Sequence, residues 1–136
     1  MTSLIVEDDF ITRRILKDIL SPYGTCDVAV DGEEAVHAFR LAWEEDNPYD
    51  LICMDIMMPK MDGHEALSQI REFEKLLSIR GSMETKVIMI TALSDPKNVI
   101  RALAKEGAAA YITKPINKQK LLNEITDLGL IPAVQK

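Results

Sequence analysis

Short apolar runs alternate along the chain with longer stretches in which apolar residues recur every three or four positions. The runs Leu4-Ile5-Val6, Cys26 to Val30, Leu51-Ile52-Cys53-Met54, Val87-Ile88-Met89-Ile90 and Ala109 to Ile112 have the length of strands. Three of the five are apolar throughout, the pattern of strands covered on both faces. Between them the helical period returns. Ile15, Leu16, Ile19 and Leu20 form one stripe, which Ser21-Pro22-Tyr23-Gly24 ends. Gly32 to about Glu45 carries Ala35, Val36, Phe39 and Ala42 and breaks at Asn47-Pro48, and Asp62 to about Ile79 carries Ala66, Ile70, Phe73 and Leu77. Asp95-Pro96 reads as an N-cap followed by proline in the first turn of a helix with Val99, Ile100 and Leu103 on one face, stopped by Gly107. The last helix, from about Asn117 to Leu128, carries Leu121, Leu122 and Ile125, with Gly129 as its stop.

Strand and helix therefore alternate five times. Short strands joined by helical crossovers form a parallel sheet with helices on both faces. The predicted fold is α/β: a flavodoxin-like (βα)5, doubly wound five-stranded parallel sheet. The 136 residues suit one domain, with the domain proper at 1–129 and a short tail at 130–136. No apolar run approaches the roughly 20 residues that cross a bilayer, so no membrane insertion is expected. The start of the chain shows no basic region or cleavage site of a signal peptide, which points to a cytoplasmic protein. A net charge of −6 argues against direct nucleic-acid binding, which favours a basic face. Cys26 and Cys53 lack metal-ligand spacing and read as small buried hydrophobes. His37 and His64 read as surface residues, and Met54, Met57, Met58 and Met61 as core and loop packing.

In such sheets binding sites form at the carboxyl ends of the strands. After the first strand stand Glu7-Asp8-Asp9, after the third Asp55, after the fourth Thr91-Ala92, and after the fifth Thr113-Lys114-Pro115. If the strands are parallel neighbours, carboxylates, a hydroxyl and an ammonium meet on one edge. Several carboxylates in one place repel unless a cation neutralises them. A set of oxygen donors alone suits a hard divalent ion such as Mg2+.

The four pieces Leu4-Ile5-Val6-Glu7-Asp8-Asp9, Met54-Asp55-Ile56-Met57-Met58-Pro59-Lys60-Met61-Asp62-Gly63, Ile90-Thr91-Ala92 and Tyr111-Ile112-Thr113-Lys114-Pro115 occur in order, each at a strand end. On these pieces the sequence resembles response-regulator receiver domains over essentially its whole length. The resemblance implies a stand-alone, chemotaxis-type two-component response regulator: a phosphoacceptor switch rather than an enzyme, which assists its own phosphorylation and dephosphorylation. It implies that Asp55 becomes an aspartyl phosphate. Glu7, Asp8, Asp55 and the main-chain carbonyl of Met57 would hold Mg2+, while Lys114 and Thr91 would bind phosphoryl oxygens. Tyr111 would be the aromatic switch residue, and the Lys114-Pro115 bond would be cis. The donor would be a histidine kinase or phosphotransfer protein. A downstream protein would be met through the face of the fourth helix, fifth strand and fifth helix, which would also serve a homodimer. Glu7 departs from the aspartate of many members, and the long connection from Leu76 to Lys86 is expected to stay clear of the site. Met57 and Leu93 match the positions flanking the attacking water. Both are apolar, so slow self-dephosphorylation is expected.

Three other readings compete. A pseudo-receiver, signalling by protein binding without phosphorylation, is disfavoured by the presence of every acid, the threonine and the lysine. A Mg2+ phosphatase with an aspartate nucleophile would carry a second acid where Met57 stands. A flavin carrier would need a hydroxyl- and glycine-rich phosphate loop where Glu7-Asp8-Asp9 would repel phosphate.

Overall fold

The computed structural model describes residues 1–133; Val134, Gln135 and Lys136 lie outside the described residues. Five parallel strands, β1 (Ser3–Val6), β2 (Cys26–Ala29), β3 (Leu51–Met54), β4 (Lys86–Thr91) and β5 (Ala110–Thr113), form one sheet in the order β2-β1-β3-β4-β5. The crossovers carry α1 (Phe10–Leu20), α2 (Gly32–Glu44), α3 (Gly63–Leu76) and α4 (Pro96–Ile100), which a π-helical turn (Arg101–Lys105) prolongs; α5 (Lys118–Asp127) follows β5. This is the expected doubly wound arrangement. Among the described residues no helix is long and apolar enough to cross a membrane.

The three central strands β1, β3 and β4 are the three runs that are apolar throughout, and the sheet splits the core into two layers. On one face Phe39 and Ile70 from α2 and α3 pack against Leu4, Ile52 and Val87. On the other, Leu16 and Leu20 of α1 and Leu121, Leu122 and Ile125 of α5 cover Ile5, Cys53 and Ile88. Burial pushes the Cys53 thiol up to about 12, as befits a small core hydrophobe, while Cys26 is only half-buried. The chain after residue 129 begins by packing, since Ile131 is buried in the second layer.

The four helices α1, α2, α3 and α5 start on side-chain caps from Asp9, Asp31, Asp62 and Asn117, each accepting a hydrogen bond from a main-chain N–H three residues on. Several predicted faces shift. Ile15 is 43% exposed, and only Leu16, Ile19 and Leu20 turn inward. Helix α3 ends at Leu76, earlier than predicted, and Leu77 is exposed. Glu74 and Arg71 explain the stop. The buried Glu74 carboxylate accepts from Thr85 N at 2.8 Å and Arg71 Nη1 at 2.6 Å, and Arg71 also reaches the carbonyls of Thr85 and Gly107. This network ties the long connection down at the end of the sheet where β4 begins. The stripe of α4 is the largest departure: Ile100 and Leu103 are exposed and Ala102 is the residue buried.

The loop from Ile56 to Asp62 is clamped by two helix starts. Gly63 donates its N–H to Ile56 O at 2.8 Å and Gly32 to Met61 O at 3.2 Å. A Cβ on Gly63 would stand 2.3 Å from the carbonyl oxygen of Asp55, a backbone atom of the residue whose N–H bonds Val6 O. Gly63→Ala is therefore expected to cost about 1–3 kcal/mol, the range for forcing an extra carbon into packed surroundings. Urea unfolding at unchanged slope measures it, and an unaltered midpoint would show that the loop yields freely.

Candidate functional site

Parallel register brings the strand ends level. Val6 pairs with Met54, and the ladder runs one bond further, with Asp55 N donating to Val6 O at 3.0 Å. On the other side of β4, Lys114 N donates to Thr91 O at 2.8 Å. Residues that follow β1, β3 and β5, with the last residue of β4, are thereby set side by side at one edge.

The carboxylates of Glu7, Asp8 and Asp55 each place an oxygen within 4.8 Å of the others. Glu7 and Asp55 are buried and Asp8 faces solvent. The ammonium of Lys114 lies between two of them, 2.6 Å from Glu7 Oε1 and 2.8 Å from Asp55 Oδ2. Met57 N donates to Asp55 Oδ1 at 3.2 Å, and Asp9 N to Glu7 Oε2 at 3.1 Å. Arg13 Nη1 reaches the Glu7 carbonyl at 3.0 Å.

Burial raises the Glu7 carboxyl above the usual carboxylate range; the hydrogen bond from Lys114 works in the opposite direction and does not fully offset it. For Lys114, burial would lower the ammonium, but its hydrogen bonds to Asp55 and Glu7 prevail and hold it above its ordinary value. Lys114 pairs with two of the three carboxylates, which leaves the negative charge of Asp8 open to solvent. A hard divalent cation fits that donor set in charge and in atom type.

Thr91 is fully buried, and its Oγ1 accepts from Leu93 N at 3.4 Å. The Tyr111 hydroxyl donates to Leu93 O at 2.6 Å; burial, with the charges of Asp95 and Asp55, raises this phenol. Thr91 and Tyr111 thus grip the same loop from two sides. Met57 is exposed and Leu93 half-buried, and both line an open cleft that runs from Asp8 to Asn98 and Arg101. The Lys114-Pro115 peptide bond is cis.

Glu7, Asp8, Asp55, Met57, Thr91 and Lys114 lie at or next to this edge, Tyr111 stands inside β5 and reaches the loop after β4 through its hydroxyl, and the Leu76–Lys86 connection lies at the opposite end of β4. His37 is exposed as expected, but His64 is a correction: it is 2% exposed. Its Nδ1 meets the Glu106 carboxylate and its Nε2 lies 2.7 Å from Asn98 Oδ1. A histidine directly after Asp62-Gly63, on the inward face shared with Leu67 and Ile70, carried the available signal; Glu106 beside Gly107 gave none.

Residues 3–126 match the family described as "Response regulator receiver domain". The chain is 37% identical over 128 residues to chemotaxis protein CheY of Treponema pallidum, covering 92% of this chain and 80% of that protein. It is 36% identical over 126 residues to chemotaxis protein CheY of Halobacterium salinarum, covering 92% and 93%. Among solved structures, a chain of the CheX–CheY–BeF3–Mg2+ complex from Borrelia burgdorferi superposes with a TM-score of 0.81 at 36% identity, covering 95% of this chain and 89% of that one. With an acidic edge, a lysine between its carboxylates and matching relatives over nearly the whole length, the chain belongs to the response-regulator receiver domain family.

Proposed function

We propose that this receiver domain is a Mg2+-dependent phosphoacceptor that takes a phosphoryl group on Asp55 and signals by protein contact. The observation that carries this reading is the Asp55 carboxylate: buried at a strand end, beside two further acids, with Lys114 on one oxygen and Met57 N–H on the other. A carboxylate so placed can act as a nucleophile. One Asp55 oxygen attacks phosphorus in line, the bond from phosphorus to the donor's histidine nitrogen or acyl oxygen breaks, and the leaving group departs with the electron pair. Lys114 stands ready to pair with an equatorial oxygen, and Thr91 to donate its hydroxyl to another. Glu7, Asp8, Asp55 and the Met57 carbonyl would hold Mg2+, which when bound supplies positive charge against the phosphoryl oxygens. Tyr111 would follow Thr91 through the Leu93 carbonyl that it already holds.

The donor in this reading is a histidine kinase or phosphotransfer protein. One relative is a probable histidine kinase of Oryza sativa, 35% identical over 135 residues, of which this chain spans 12%. A structure of the yeast phosphotransfer protein Ypd1 with the Ssk1 receiver domain contains a chain that superposes with a TM-score of 0.80 at 34% identity. Output would run through α4, β5 and α5, whose exposed Ile100 and Leu103 offer apolar contact to a downstream protein or to a second copy. A cytoplasmic location follows from the nature of such donors.

Incubation with acetyl phosphate and Mg2+, read by intact mass, is expected to add one phosphoryl group to the wild type and none to Asp55→Asn or to a chelator-treated sample. A folded wild type that stays unmodified would move the reading to a pseudo-receiver. Once formed, the acyl phosphate is expected to decay slowly. Met57→Asn should accelerate decay about tenfold, equivalent to one water-orienting hydrogen bond of ~1.4 kcal/mol; an unchanged decay rate would refute the role of Met57.

Glu7 titrates above an ordinary glutamate, so the folded protein holds this proton more tightly than the unfolded chain. The metal-free protein should therefore lose stability as pH rises from the ordinary glutamate value through the raised one. Mg2+ needs Glu7 ionised, so its affinity should fall as pH drops through the same window. Glu7→Gln is expected to raise the metal-free urea midpoint at neutral pH and to weaken Mg2+ binding about 10- to 100-fold, measured by calorimetry. A lower midpoint in the variant would contradict the assignment of burial as the dominant influence.

A further inference from the structure

Helix α4 is almost without apolar anchorage. Pro96–Ile100 buries no residue, and the turn Arg101–Lys105 buries only Ala102. Its fixed points are polar, and both run to His64. At the front, His64 Nε2 lies 2.7 Å from Asn98 Oδ1. The orientation of that amide follows from its other end, where Asn98 Nδ2 donates to Asp95 Oδ1 at 2.7 Å and helps hold the Asp95 carboxyl below the usual range. At the back, His64 Nδ1 meets the Glu106 carboxylate, whose other oxygen accepts from Arg101 Nε at 3.1 Å and Ser68 Oγ at 3.4 Å. Glu106 closes the π-helical turn, its N–H donating to Arg101 O at 3.0 Å. His64 itself is the second residue of α3, one after the glycine pressed against the Asp55 carbonyl.

We propose that His64 is a positioning residue that clamps both ends of α4 to the loop carrying Asp55 and so sets the resting position of the helix. The proposal rests on the phosphoacceptor reading for its last step only. Thr91, Leu93 and Asp95 form the connection into α4. When Thr91 closes on a phosphoryl oxygen, the load passes through the Asp95 cap to Asn98, and the front contact of the clamp yields. A directed hydrogen bond is made or broken as a unit, so two arrangements of α4 differ by a countable contact rather than by gradual slippage. The resting state is stabilised by the Asn98 contact, and removing that contact shifts the population toward the active arrangement.

Amide hydrogen exchange across residues 96–106 and the affinity for beryllofluoride with Mg2+, both on the full chain, test this. Asn98→Ala, at a half-buried position, is expected to raise exchange in α4 of the metal-free protein about tenfold and to tighten beryllofluoride binding roughly 5-fold, at the low end of ordinary coupling between sites. The exchanged pair Asp95→Asn with Asn98→Asp keeps a cap and turns an oxygen to His64, and should bring both readings back to wild type. Unchanged exchange in Asn98→Ala, or faster exchange with unchanged or weaker beryllofluoride affinity, would overturn the proposal, since a merely structural contact would not tighten binding. His64→Leu combined with Glu106→Gln removes both contacts at once without stranding a buried charge and should speed exchange across residues 96–106; unaltered exchange there would also sink the clamp. If the wild type binds no beryllofluoride, the phosphoacceptor reading fails, while exchange in the metal-free variants still decides whether His64 holds α4.

Discussion

Two buried carboxylates and one exposed carboxylate are forced together at the sheet edge, and a single ammonium stands between the two buried ones. Much of the site's architecture answers that electrostatic constraint. Glu7 and Asp55 follow adjacent strands whose main-chain ladder continues to Asp55 N and Val6 O, so neither acid can retreat without breaking the sheet. Lys114 is brought in by β5 on the far side of β4, held by its own N–H on the Thr91 carbonyl. The charges are fixed by backbone rather than by flexible side chains, which is the condition for a site that stabilises developing negative charge without first reorganising.

Rigidity is distributed unevenly around that edge. The central strands are buried on both faces, and α2, α3 and α5 are seated by large apolar side chains. The loop after β3 is pinned by the first residues of α2 and α3. Beyond Thr91 the manner of attachment changes: the chain is held by the Tyr111 hydroxyl on Leu93, by Asn98 and by Glu106, with little apolar burial. Apolar packing tolerates small shifts only at a continuous cost, whereas a few directed hydrogen bonds can exchange one set of partners for another. The segment after Thr91 is thus attached by contacts that can be exchanged as units, unlike the helices seated by apolar side chains. The exposed Ile100 and Leu103 lie on that same segment, so a change in its position would alter an apolar surface as well as a polar one.

The element order, the parallel sheet and the row of residues at the strand ends were all readable before any coordinates. Apolar runs of strand length separated by helical crossovers leave few topologies, and the carboxyl ends of parallel strands must share one edge. Glu7, Asp8, Asp55, Thr91 and Lys114 are placed by that logic alone, because each sits at or within two residues of a strand's carboxyl end. The structure decided which helix faces are covered and how α4 is held. Periodicity shows that a helix has an apolar stripe, not what lies against it: Ile15, Ile100 and Leu103 stay in solvent while Ala102 is buried. His64 looked like a surface residue because its partners are remote, Asn98 at 34 and Glu106 at 42 positions along the chain. Local patterns carry local structure and the positions that follow from it. The pairing of buried polar groups depends on long-range contacts, and only the folded chain brings those together.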